Sequence, residues 1–232
     1  MEVTLADATP VANNDTATTA EDTAVQIDVL ANDTDADGDT LSILSAVVSG
    51  SGTGTVTTDG STITFTPAAD YNGTATVFYF ASDNNDGADS ASVTITITEV
   101  NDRPVAKADS GTIGEDYGAS SFSVLANDTD VEGDSLIVSL PSITSGDTTG
   151  TVTSNGTTVT YTPSADFYGT TVISYTITDD GTTNGSDDFL NATGTLTVTV
   201  TDVNDVPVAN ADTATIAEDA SATSFTVLTN DT

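Results

Sequence analysis

Along most of the chain, apolar residues alternate with Thr, Ser and charged residues, which is the period of a half-buried β-strand. No segment of ten or more residues has the period of a helix. The alternating runs lie at residues 25–29, 41–43, 63–65, 75–79 and 93–97, and again at 122–124, 159–161, 173–177 and 196–200. Asp59-Gly60 and Asn155-Gly156 lie between such runs and are typical of tight hairpin turns. The pattern therefore predicts an all-β chain.

Several motifs recur in the same order, which indicates a repeat array. Pro10-Val11-Ala12 returns as Pro104-Val105-Ala106, and Val-Leu-Ala-Asn-Asp-Thr-Asp at residues 29–35 returns at 124–130. Both motifs begin a third time, at Pro207 and Val227. The predicted organisation is a leader at 1–9, a first repeat at 10–102, a second repeat at 103–205 and the truncated start of a third at 206–232.

With a first strand near residues 11–18, each complete repeat holds seven predicted strands. Seven short strands with turn signals between them favour an antiparallel β-sandwich of the Ig-like or cadherin-like kind. The predicted fold class is thus all-β, with tandem seven-stranded antiparallel β-sandwiches that form an extended rod. Residues 206–232 are too few to bury a core, so we expect them to be loose or to pair along an edge.

The odd number of strands has a consequence for the loops. A chain that reverses at each strand enters a seven-stranded sandwich at one pole, the upstream pole, and leaves at the other, the downstream pole. Loops after the first and fifth strands then lie at the downstream pole, beside the linker to the next repeat. Loops after the second and sixth strands lie at the upstream pole. Acidic residues that are far apart in sequence should therefore meet at each junction between repeats.

The polar loops are rich in carboxylates, and carboxylates that converge on one point need a cation. The predicted ligands at the first junction are Glu21, Asp22, Asp70, Glu99, Asn101 and Asp102 from the first repeat, and Asp128, Asp130, Glu132 and Asp179 from the second. At the upstream pole of the first repeat they are Asp33, Asp35, Asp37 and Asp83. At the downstream pole of the second repeat they are Glu115, Asp116, Asp166, Asp202, Asn204 and Asp205.

Simpler interpretations of the same residues stay open. Asp, Asn and Gly favour turns on their own account, so residues 33–39 also fit an ordinary turn. Glu21 and Glu115 also fit solvated loop charges. Asp70 and Asp166 also fit residues that only close a turn before the sixth strand.

The composition limits which classes of partner and which metals the chain can bind. The chain has 36 acidic and 2 basic residues, with a formal net charge of −34 at pH 7. Such a surface excludes nucleic acid and anionic membrane as partners. There is no Cys and no His, which excludes disulfides and any His- or Cys-ligated metal. Oxygen ligands alone suit a hard cation, so the predicted cofactor is Ca²⁺.

Paired carboxylates also occur in glycosidases, but the sequence has no Trp to stack a sugar and no long loop to form a cleft. We therefore predict no enzyme activity. No apolar run has the length of a membrane span, so no membrane insertion is expected. The N-terminus lacks a signal peptide, and we expect any export signal to lie on polypeptide outside this sequence.

Two linkers carry a motif that can be assigned to a family. Glu99-Val100-Asn101-Asp102-Arg103-Pro104 and its counterpart at 202–207 resemble the cadherin linker Asp-x-Asn-Asp-Asn-x-Pro, with Arg103 where that linker has Asn. Asp128-Thr129-Asp130 resembles the cadherin Asp-x-Asp, and Asp179-Asp180-Gly181 resembles its later Asp-x-Gly. With the Phe/Tyr-Thr-Pro blocks at 65–67 and 161–163, the chain is similar to bacterial cadherin-like tandem repeats of large secreted, RTX-type surface adhesins.

The resemblance implies calcium-rigidified spacer repeats of a bacterial extracellular adhesin, with calcium held at the junctions between repeats. The implied partners are calcium, the neighbouring repeats of the same chain and, through a distal module, a glycan or protein on a host cell or other surface. The implied location is the bacterial cell surface. The alternative is a ligand-binding adhesion module, in which an exposed sheet face or the loop at 179–191 recognises a glycan or a protein. Phe189 is the only aromatic residue of that loop.

Overall fold

The computed structural model describes residues 7–232, so residues 1–6 of the predicted leader lie outside the described residues. By their contacts the described residues divide into two compact units. The first contains the residues up to Ala106 together with Asn127–Ile137 and Ile177–Ala192. The second contains Lys107–Ala126, Val138–Thr176 and Thr193–Thr232. All residues predicted as ligands at the first junction therefore belong to the first unit.

The first repeat contains two sheets built from seven strands. These are β1 (Asp15–Ala20), β2 (Val25–Ile27), β3 (Ser42–Ser49), β4 (Gly54–Thr58), β5 (Ile63–Pro67), β6 (Gly73–Ser82) and β7 (Ala88–Thr98). One sheet has the order β1-β7-β6-β3, and the other has the order β2-β5-β4.

The core of the first unit draws on both sheets. Ile63 and Phe65 of β5, Val77 and Tyr79 of β6, and Ile95 of β7 are fully buried and belong to one apolar cluster. In β5 and β6 the buried residues alternate with more exposed ones. The predicted alternation and the predicted β-sandwich are confirmed, because each strand turns every second side chain towards the shared core.

The first and last strands of the unit run in the same direction. β1 pairs with β7 in parallel register, from Asp15 opposite Val93 to Ala20 opposite Thr98. β6 pairs in antiparallel register with both β3 and β7. The parallel pair departs from the purely antiparallel sandwich that the sequence predicts. It follows from the odd strand count, because the first and seventh of seven reversing strands point the same way.

The hairpin predicted at Asp59-Gly60 is confirmed, since these residues join the antiparallel strands β4 and β5. Asp59 Oδ1 accepts hydrogen bonds from the backbone N of Ser61 at 2.9 Å and of Thr62 at 2.7 Å. Gly60 has a φ of 90°, a backbone conformation that favours glycine.

The predicted first strand begins later than expected, at Asp15 rather than near residue 11. Val11 makes only an isolated bridge with Thr34. The reason lies in side-chain bonds, because Asn13 N donates to Asp33 Oδ1 at 2.7 Å instead of entering a sheet ladder. Side chains of this kind compete with strand pairing for backbone groups.

The second repeat has the same arrangement of strands. Its strands are β8 (Asp109–Gly114), β9 (Ser120–Phe122), β10 (Ile137–Ser145), β11 (Thr151–Ser154), β12 (Val159–Thr162), β13 (Gly169–Thr178) and, after the short hairpin of β14 (Thr182–Thr183) and β15 (Ser186–Asp187), β16 (Asn191–Thr201). The sheets have the orders β10-β13-β16-β8 and β11-β12-β9. β16 pairs with β8 in parallel, as β7 does with β1. The β14–β15 hairpin belongs to the segment Ile177–Ala192 of the first unit.

A buried hydrogen-bond network centres on Asp147 in the second unit. This carboxylate is 3% exposed and accepts hydrogen bonds from Ser164 N at 2.7 Å, Gly150 N at 2.8 Å and Tyr161 Oη at 3.0 Å. Burial alone would raise the pKa of Asp147, but these donors hold it well below its usual value. Burial, together with the Asp147 charge, raises the pKa of Tyr161 to about 12.

Residues 206–232 contain no strand, and all of them except the half-buried Asp231 are exposed. Val208 and Thr232 exchange two backbone hydrogen bonds, at 2.6 and 3.1 Å. This local bridge repeats the bridges Val11–Thr34 and Val105–Thr129. The segment makes no pairing along a sheet edge.

Gly54, at the start of β4, provides a test of packing between the neighbouring strands β4 and β5. Its φ is 151°, and a Cβ at this position would lie 2.7 Å from the Phe65 ring. We expect Gly54→Ala to lower the free energy of unfolding by about 2 to 3 kcal/mol, because overpacking adds to backbone strain. Gly52→Ala is the control, since its φ of 91° is also unfavourable but its Cβ would meet nothing within 4 Å. Urea unfolding that shows equal losses for the two variants would contradict this account.

Candidate metal centre

Three carboxylates converge at the downstream pole of the first repeat. Asp22 follows β1, Asp70 follows β5 and Asp102 follows β7. Each offers one carboxylate oxygen, and the three oxygens lie within 4.8 Å of one another. We call this group the Asp102 cluster. The structure thus brings together residues far apart in sequence, as the alternation of strand direction predicts.

The two loops of the Asp102 cluster share an unusual backbone conformation. Asp22 and Asp70 both have a φ of 55°, in the left-handed region. Asp116 and Asp166, which follow the first and fifth strands of the second repeat, have φ values of 62° and 58°. Non-glycine residues adopt this region at a cost, and such conformations concentrate at functional sites. The turns are therefore built in the same way in both repeats.

Glu21 holds the linker against the sandwich. It is 4% exposed, and its Oε1 accepts a hydrogen bond from Val100 N at 2.5 Å. Glu115 is 2% exposed and accepts the corresponding bond from Val203 N at 2.6 Å. Burial and these contacts exclude the interpretation of both residues as solvated loop charges.

A second group of carboxylates lies on the segment Asn127–Ile137 of the same unit. Asp130, Glu132 and Asp134 each offer an oxygen, and these oxygens lie within 4.8 Å of one another. We call this group the Asp130 cluster. Asp130 Oδ1 accepts the backbone N–H of Asp134 at 3.1 Å, which shapes the loop. Asp102 N donates to Glu132 Oε2 at 3.3 Å, so the two clusters are adjacent.

Asn101 links the clusters to the β14–β15 hairpin and is 4% exposed. Its Nδ2 donates to Asp188 O at 2.6 Å and to Asp179 Oδ1 at 3.2 Å, and its backbone N donates to Thr183 Oγ1 at 2.9 Å. Arg103 donates from Nη1 to Asn191 O at 2.9 Å. The loop at 179–191 therefore holds the linker through direct hydrogen bonds.

Several buried oxygens around these clusters lack a hydrogen-bond partner among the described residues. They include one carboxylate oxygen, Oδ2, of each of four aspartates and the amide oxygen Oδ1 of Asn101; the aspartates are Asp102, Asp130, Asp134 and Asp179. Asp179 is 3% exposed as a residue. Buried polar atoms are nearly always paired, so a group of unpaired acceptors in one place points to a bound ion or to water.

The surroundings of three carboxyl groups in the two clusters disfavour their ionised forms. Burial, and then the charges of Asp70, Asp22 and Asp130, raises the pKa of Asp102. Burial and the neighbouring charge of Asp130 also raise the pKa of Asp134. The pKa of Glu132 is raised chiefly by burial. The ionised forms of these three carboxylates are therefore destabilised. A bound cation would offset that destabilisation.

A related group lies at the upstream pole of the first repeat. Asp35 accepts from Asp37 N at 2.9 Å, and Asp37 Oδ2 accepts from Ala8 N at 2.7 Å. Asp83 is 2% exposed, and the Oδ2 atoms of Asp35 and Asp83 are buried without a hydrogen-bond partner in residues 7–232. Burial, and then the charges of Asp83, Asp39, Asp37 and Asp35, raises the pKa of Asp7. Asp35, Asp37 and Asp83 thus all lie near Asp7, but they are not among the groups in residues 7–232 whose oxygens lie within 4.8 Å of one another.

Asp33 has a structural contact that the sequence does not reveal. Both of its carboxylate oxygens accept from the Tyr79 hydroxyl, at 3.1 and 3.0 Å. Burial and this hydrogen bond raise the pKa of Tyr79. Asp33 therefore joins the loop to the core.

Two further predicted ligands of the first junction are half-buried. Asp128 occupies the position in the second repeat that Asp33 has in the first, and Glu99 contributes to the charge environment of Asp134.

The second unit carries its own group of acidic residues at the downstream pole of the second repeat. Oxygens of Asp116, Asp166 and Asp205 lie within 4.8 Å of one another, and all three residues are exposed. Asp202 and Asn204 are exposed in the same linker. This group repeats the Asp102 cluster position by position.

The sequence-based prediction omitted Asp134, Asp180 and Asp7. Asp134 ends the alternation Asp130-x-Glu132-x-Asp134, and this alternation was a sufficient signal to include it. Asp180 Oδ1 accepts from Ser135 N at 2.7 Å, a contact without a local sequence signal. Asp7 occupies the position in its linker that Asn101 occupies in the next, so the repeat alignment also contained that signal.

Comparison with known proteins identifies relatives of the chain. The family model described as a bacterial Ig domain matches residues 7–96 and again residues 101–201. The crystal structure of human protocadherin-24 EC1-2, form II, has a TM-score of 0.54 at 21% identity, covering 85% of this chain and 100% of that chain. Human CDH23 EC21-23 has a TM-score of 0.53 at 19% identity, covering 89% of this chain and 73% of that one. At these identities the likeness is one of fold.

The endo-fucoidan hydrolase MfFcnA4 of glycoside hydrolase family 107 is also similar, with a TM-score of 0.34 and 20% identity. The match covers 85% of this chain but only 29% of the hydrolase, and the likeness is too weak to carry an inference about activity. No curated protein sequence matches the chain. Within residues 7–232, no helix has the length and apolar character needed to span a bilayer.

Proposed function

Because the chain belongs to the bacterial Ig-domain family, as two tandem copies, we propose that it is a calcium-stiffened spacer of a bacterial extracellular adhesin. Its family and its fold agree with the predicted resemblance to bacterial cadherin-like tandem repeats. Domains of this kind are structural or adhesion modules, typically extracellular and typically without enzyme activity. The acidic clusters support the more specific role of a calcium-stiffened spacer.

The buried oxygens without partners carry the proposal. Leaving a buried acceptor unpaired costs about 1 to 3 kcal/mol, and more when the acceptor is charged. Two carboxylates about 4 Å apart also repel each other by roughly 4 kcal/mol at an effective dielectric constant near 20. A bound cation removes both costs at once, whereas water leaves the repulsion between the carboxylates in place. The first unit therefore needs a cation beside Asp102 and Asp130.

The donor set fits Ca²⁺. Every candidate donor is an oxygen, and the chain has neither Cys nor His. Ca²⁺ accepts six to eight oxygens in flexible geometry, whereas Mg²⁺ demands a regular octahedron and keeps several waters. The residues that would hold calcium in the first unit are Glu21, Asp22, Asp70, Asn101, Asp102, Asp130, Glu132, Asp134 and Asp179.

The role of these residues follows from their positions. Asp102 lies on the linker, Asp22 and Asp70 lie on loops after β1 and β5, and the Asp130 cluster lies on a separate segment. A cation shared by such groups ties the linker to both loops and restricts its backbone torsions. Without the cation, the repulsion between the carboxylates separates the same elements. Extracellular sites of low affinity have dissociation constants of about 0.1 to 1 mM, so stiffening would occur only outside the cell.

Solution X-ray scattering on the whole chain tests the spacer function. With millimolar calcium we expect a longer and narrower distribution of interatomic distances than with a chelator, because the linker is held. Magnesium at the same concentration is the control for ionic strength and should leave the distribution close to that in chelator. Coincident curves in calcium and in chelator would refute the stiffening role.

A second candidate function is ligand binding by the same repeats. The observation that favours it is an exposed aromatic surface on the four-stranded sheet of the first repeat. Phe78 and Phe80 of β6 are 45% and 44% exposed.

A further inference from the structure

The outer face of the four-stranded sheet in the first unit carries an apolar patch. Phe78 and Phe80 of β6 point away from the core, and Val47 of the edge strand β3 is 56% exposed. Val47 lies directly opposite Phe78, so the two side chains adjoin across the strands. Leu44, the extra residue where the register of β3 shifts, is 61% exposed. We call these four residues the Phe78 patch.

The strand register places hydroxyl groups on both sides of the rings. Phe80 lies between Ser45 of β3 and Ser90 of β7, and Phe78 lies between Val47 and Ser92. Thr76 continues the face between Ser49 and Thr94. Neighbouring strands are about 4.8 Å apart, so these hydroxyls border the rings directly. The face thus combines apolar ring surface with hydrogen-bonding groups.

No charged side chain occupies these three rows of the face, although the chain carries 36 acidic residues. Asp89, the acidic residue of β7, lies opposite the buried Ala81 and accepts Ala12 N at 3.0 Å, so it belongs to the other side of the sheet. The face offers no carboxylate to pair with a cationic partner, and the surrounding negative charge repels polyanions. Its electrostatic complement is an uncharged partner.

The second repeat lacks this surface. The buried Tyr79 of β6 corresponds to the buried Tyr175 of β13, so Phe78 and Phe80 correspond to Ser174 and Thr176. The other buried residues of the two strands, Val77 and Ala81 against Ile173 and Ile177, are also apolar, whereas the outward residues differ. The aromatic pair is therefore a property of the first repeat and is not needed to build the sandwich.

We propose that the Phe78 patch binds a neutral polysaccharide, whose apolar C–H faces stack on Phe78 and Phe80 while Ser45 and Ser90 bond its hydroxyls. The two rings are about 7 Å apart along the strand, in a line along which an extended chain can lie. Aromatic side chains supply large contact area at low cost in conformational entropy. This binding needs no calcium ligand and does not rest on the spacer function.

A second copy of the chain fits the patch less well. The four side chains are each about half exposed and together offer on the order of 400 Å² of apolar surface. A stable protein interface takes about 800 Å² from each partner. Two copies would also bring together surfaces with a formal net charge of −34 each. A small uncharged ligand meets neither obstacle.

Affinity electrophoresis of the whole chain in millimolar calcium tests the proposal. Native gels would contain hydroxyethyl cellulose, dextran, galactomannan or laminarin as neutral probes, and carboxymethyl cellulose as the anionic counterpart of the first. We expect retardation by at least one neutral polysaccharide and none by carboxymethyl cellulose. The double variant Phe78→Ser/Phe80→Thr, which installs the residues of the second repeat, should weaken the interaction about tenfold or more.

Phe189→Ser is the matched control, because Phe189 is 57% exposed but lies in the loop at 179–191. This variant should bind as the unchanged chain does, and the thermal unfolding midpoint should verify that both variants are folded. The proposal is overturned by absence of retardation in all four neutral gels, or by equal retardation in carboxymethyl cellulose. It is also overturned if Phe189→Ser, rather than the double variant, abolishes binding. Sedimentation that shows a dimer, dispersed by the double variant, would assign the patch to self-association instead.

Discussion

Chelation of calcium is expected to lower the thermal unfolding midpoint of the chain by roughly 10 to 20 °C for each site that is emptied. A site occupied at about a hundredfold excess over its dissociation constant contributes roughly 2.7 kcal/mol to the free energy of unfolding. For a domain of about 60 to 100 residues, each kcal/mol shifts the midpoint by about 4 to 8 °C. Differential scanning calorimetry in millimolar calcium and in chelator measures the difference.

Asp102→Asn should remove much of this effect, because Asp102 lies close to Asp22, Asp70 and Asp130. In calcium we expect the variant to unfold at a lower temperature than the unchanged chain. In chelator the order should reverse. The pKa of Asp102 is raised, so its ionised form is less favoured in the folded state than in the unfolded one, and a neutral Asn removes that penalty.

Asp59→Asn is the matched control for the loss of one negative charge. Asp59 lies in the hairpin between β4 and β5, and the second repeat has Asn155 at the same place with the same hydrogen bonds to the two following amides. The response of Asp59→Asn to calcium should equal that of the unchanged chain. If Asp59→Asn and Asp102→Asn reduce the calcium response equally, the effect is one of net charge and the assigned ligands are wrong.

The positions of the acidic residues at the junction were predictable because strand direction alone determines them. Once the alternation predicts seven strands, Asp22, Asp70 and Asp102 must lie at one pole, and the structure places their oxygens within 4.8 Å. No side-chain detail enters that step. The prediction of a β-sandwich depends on the same alternation, which reports burial on one face.

Tertiary contacts account for what the sequence did not reveal. Asp33 accepts a hydrogen bond from the hydroxyl of Tyr79, which lies 46 positions further along the chain. No local sequence pattern indicates such a pair. The β14–β15 hairpin was expected only as a loop, since its two strands have two residues each and too few positions to show a period. Its contacts with Asn101 depend on where the linker runs. Local periodicity carries no information of that kind.

Asp147→Ser should be among the most destabilising single substitutions, lowering the free energy of unfolding of the second unit by about 3 to 5 kcal/mol. It leaves the hydroxyl of Tyr161 and the amides of Gly150 and Ser164 without their acceptor in a buried site. Ser is the residue that the first repeat has at this position, Ser51, so the change tests whether a native side chain is tolerated out of context. Urea unfolding measures the loss.

The triple variant Asp147→Ser/Tyr161→Phe/Thr171→Ala should recover most of that stability, because at these three positions it reproduces the first repeat, which has Ser51, Phe65 and Ala75. Phe65 and Ala75 are buried, and Ala68 N, the counterpart of Ser164 N, donates to Thr53 O at 3.2 Å instead of to a carboxylate. Replacing every member of a buried polar network with apolar groups of similar shape is often close to neutral, whereas removing one member is not. If the triple variant is as unstable as Asp147→Ser, the surrounding backbone rather than the unpaired donors accounts for the loss.

The dependence of the free energy of unfolding on pH distinguishes the unchanged chain from the triple variant. The pKa of Asp147 is depressed in the folded state, so its contribution is present above the unfolded value of about 3.9 and is lost as the pH falls below that value. The unchanged chain should therefore lose stability between about pH 5 and pH 2 more steeply than the triple variant, which has no carboxylate there to protonate. Since the other acidic residues are common to both proteins, their protonation cancels in the difference between the two curves. Parallel curves would mean that Asp147 is not held as a carboxylate by its donors.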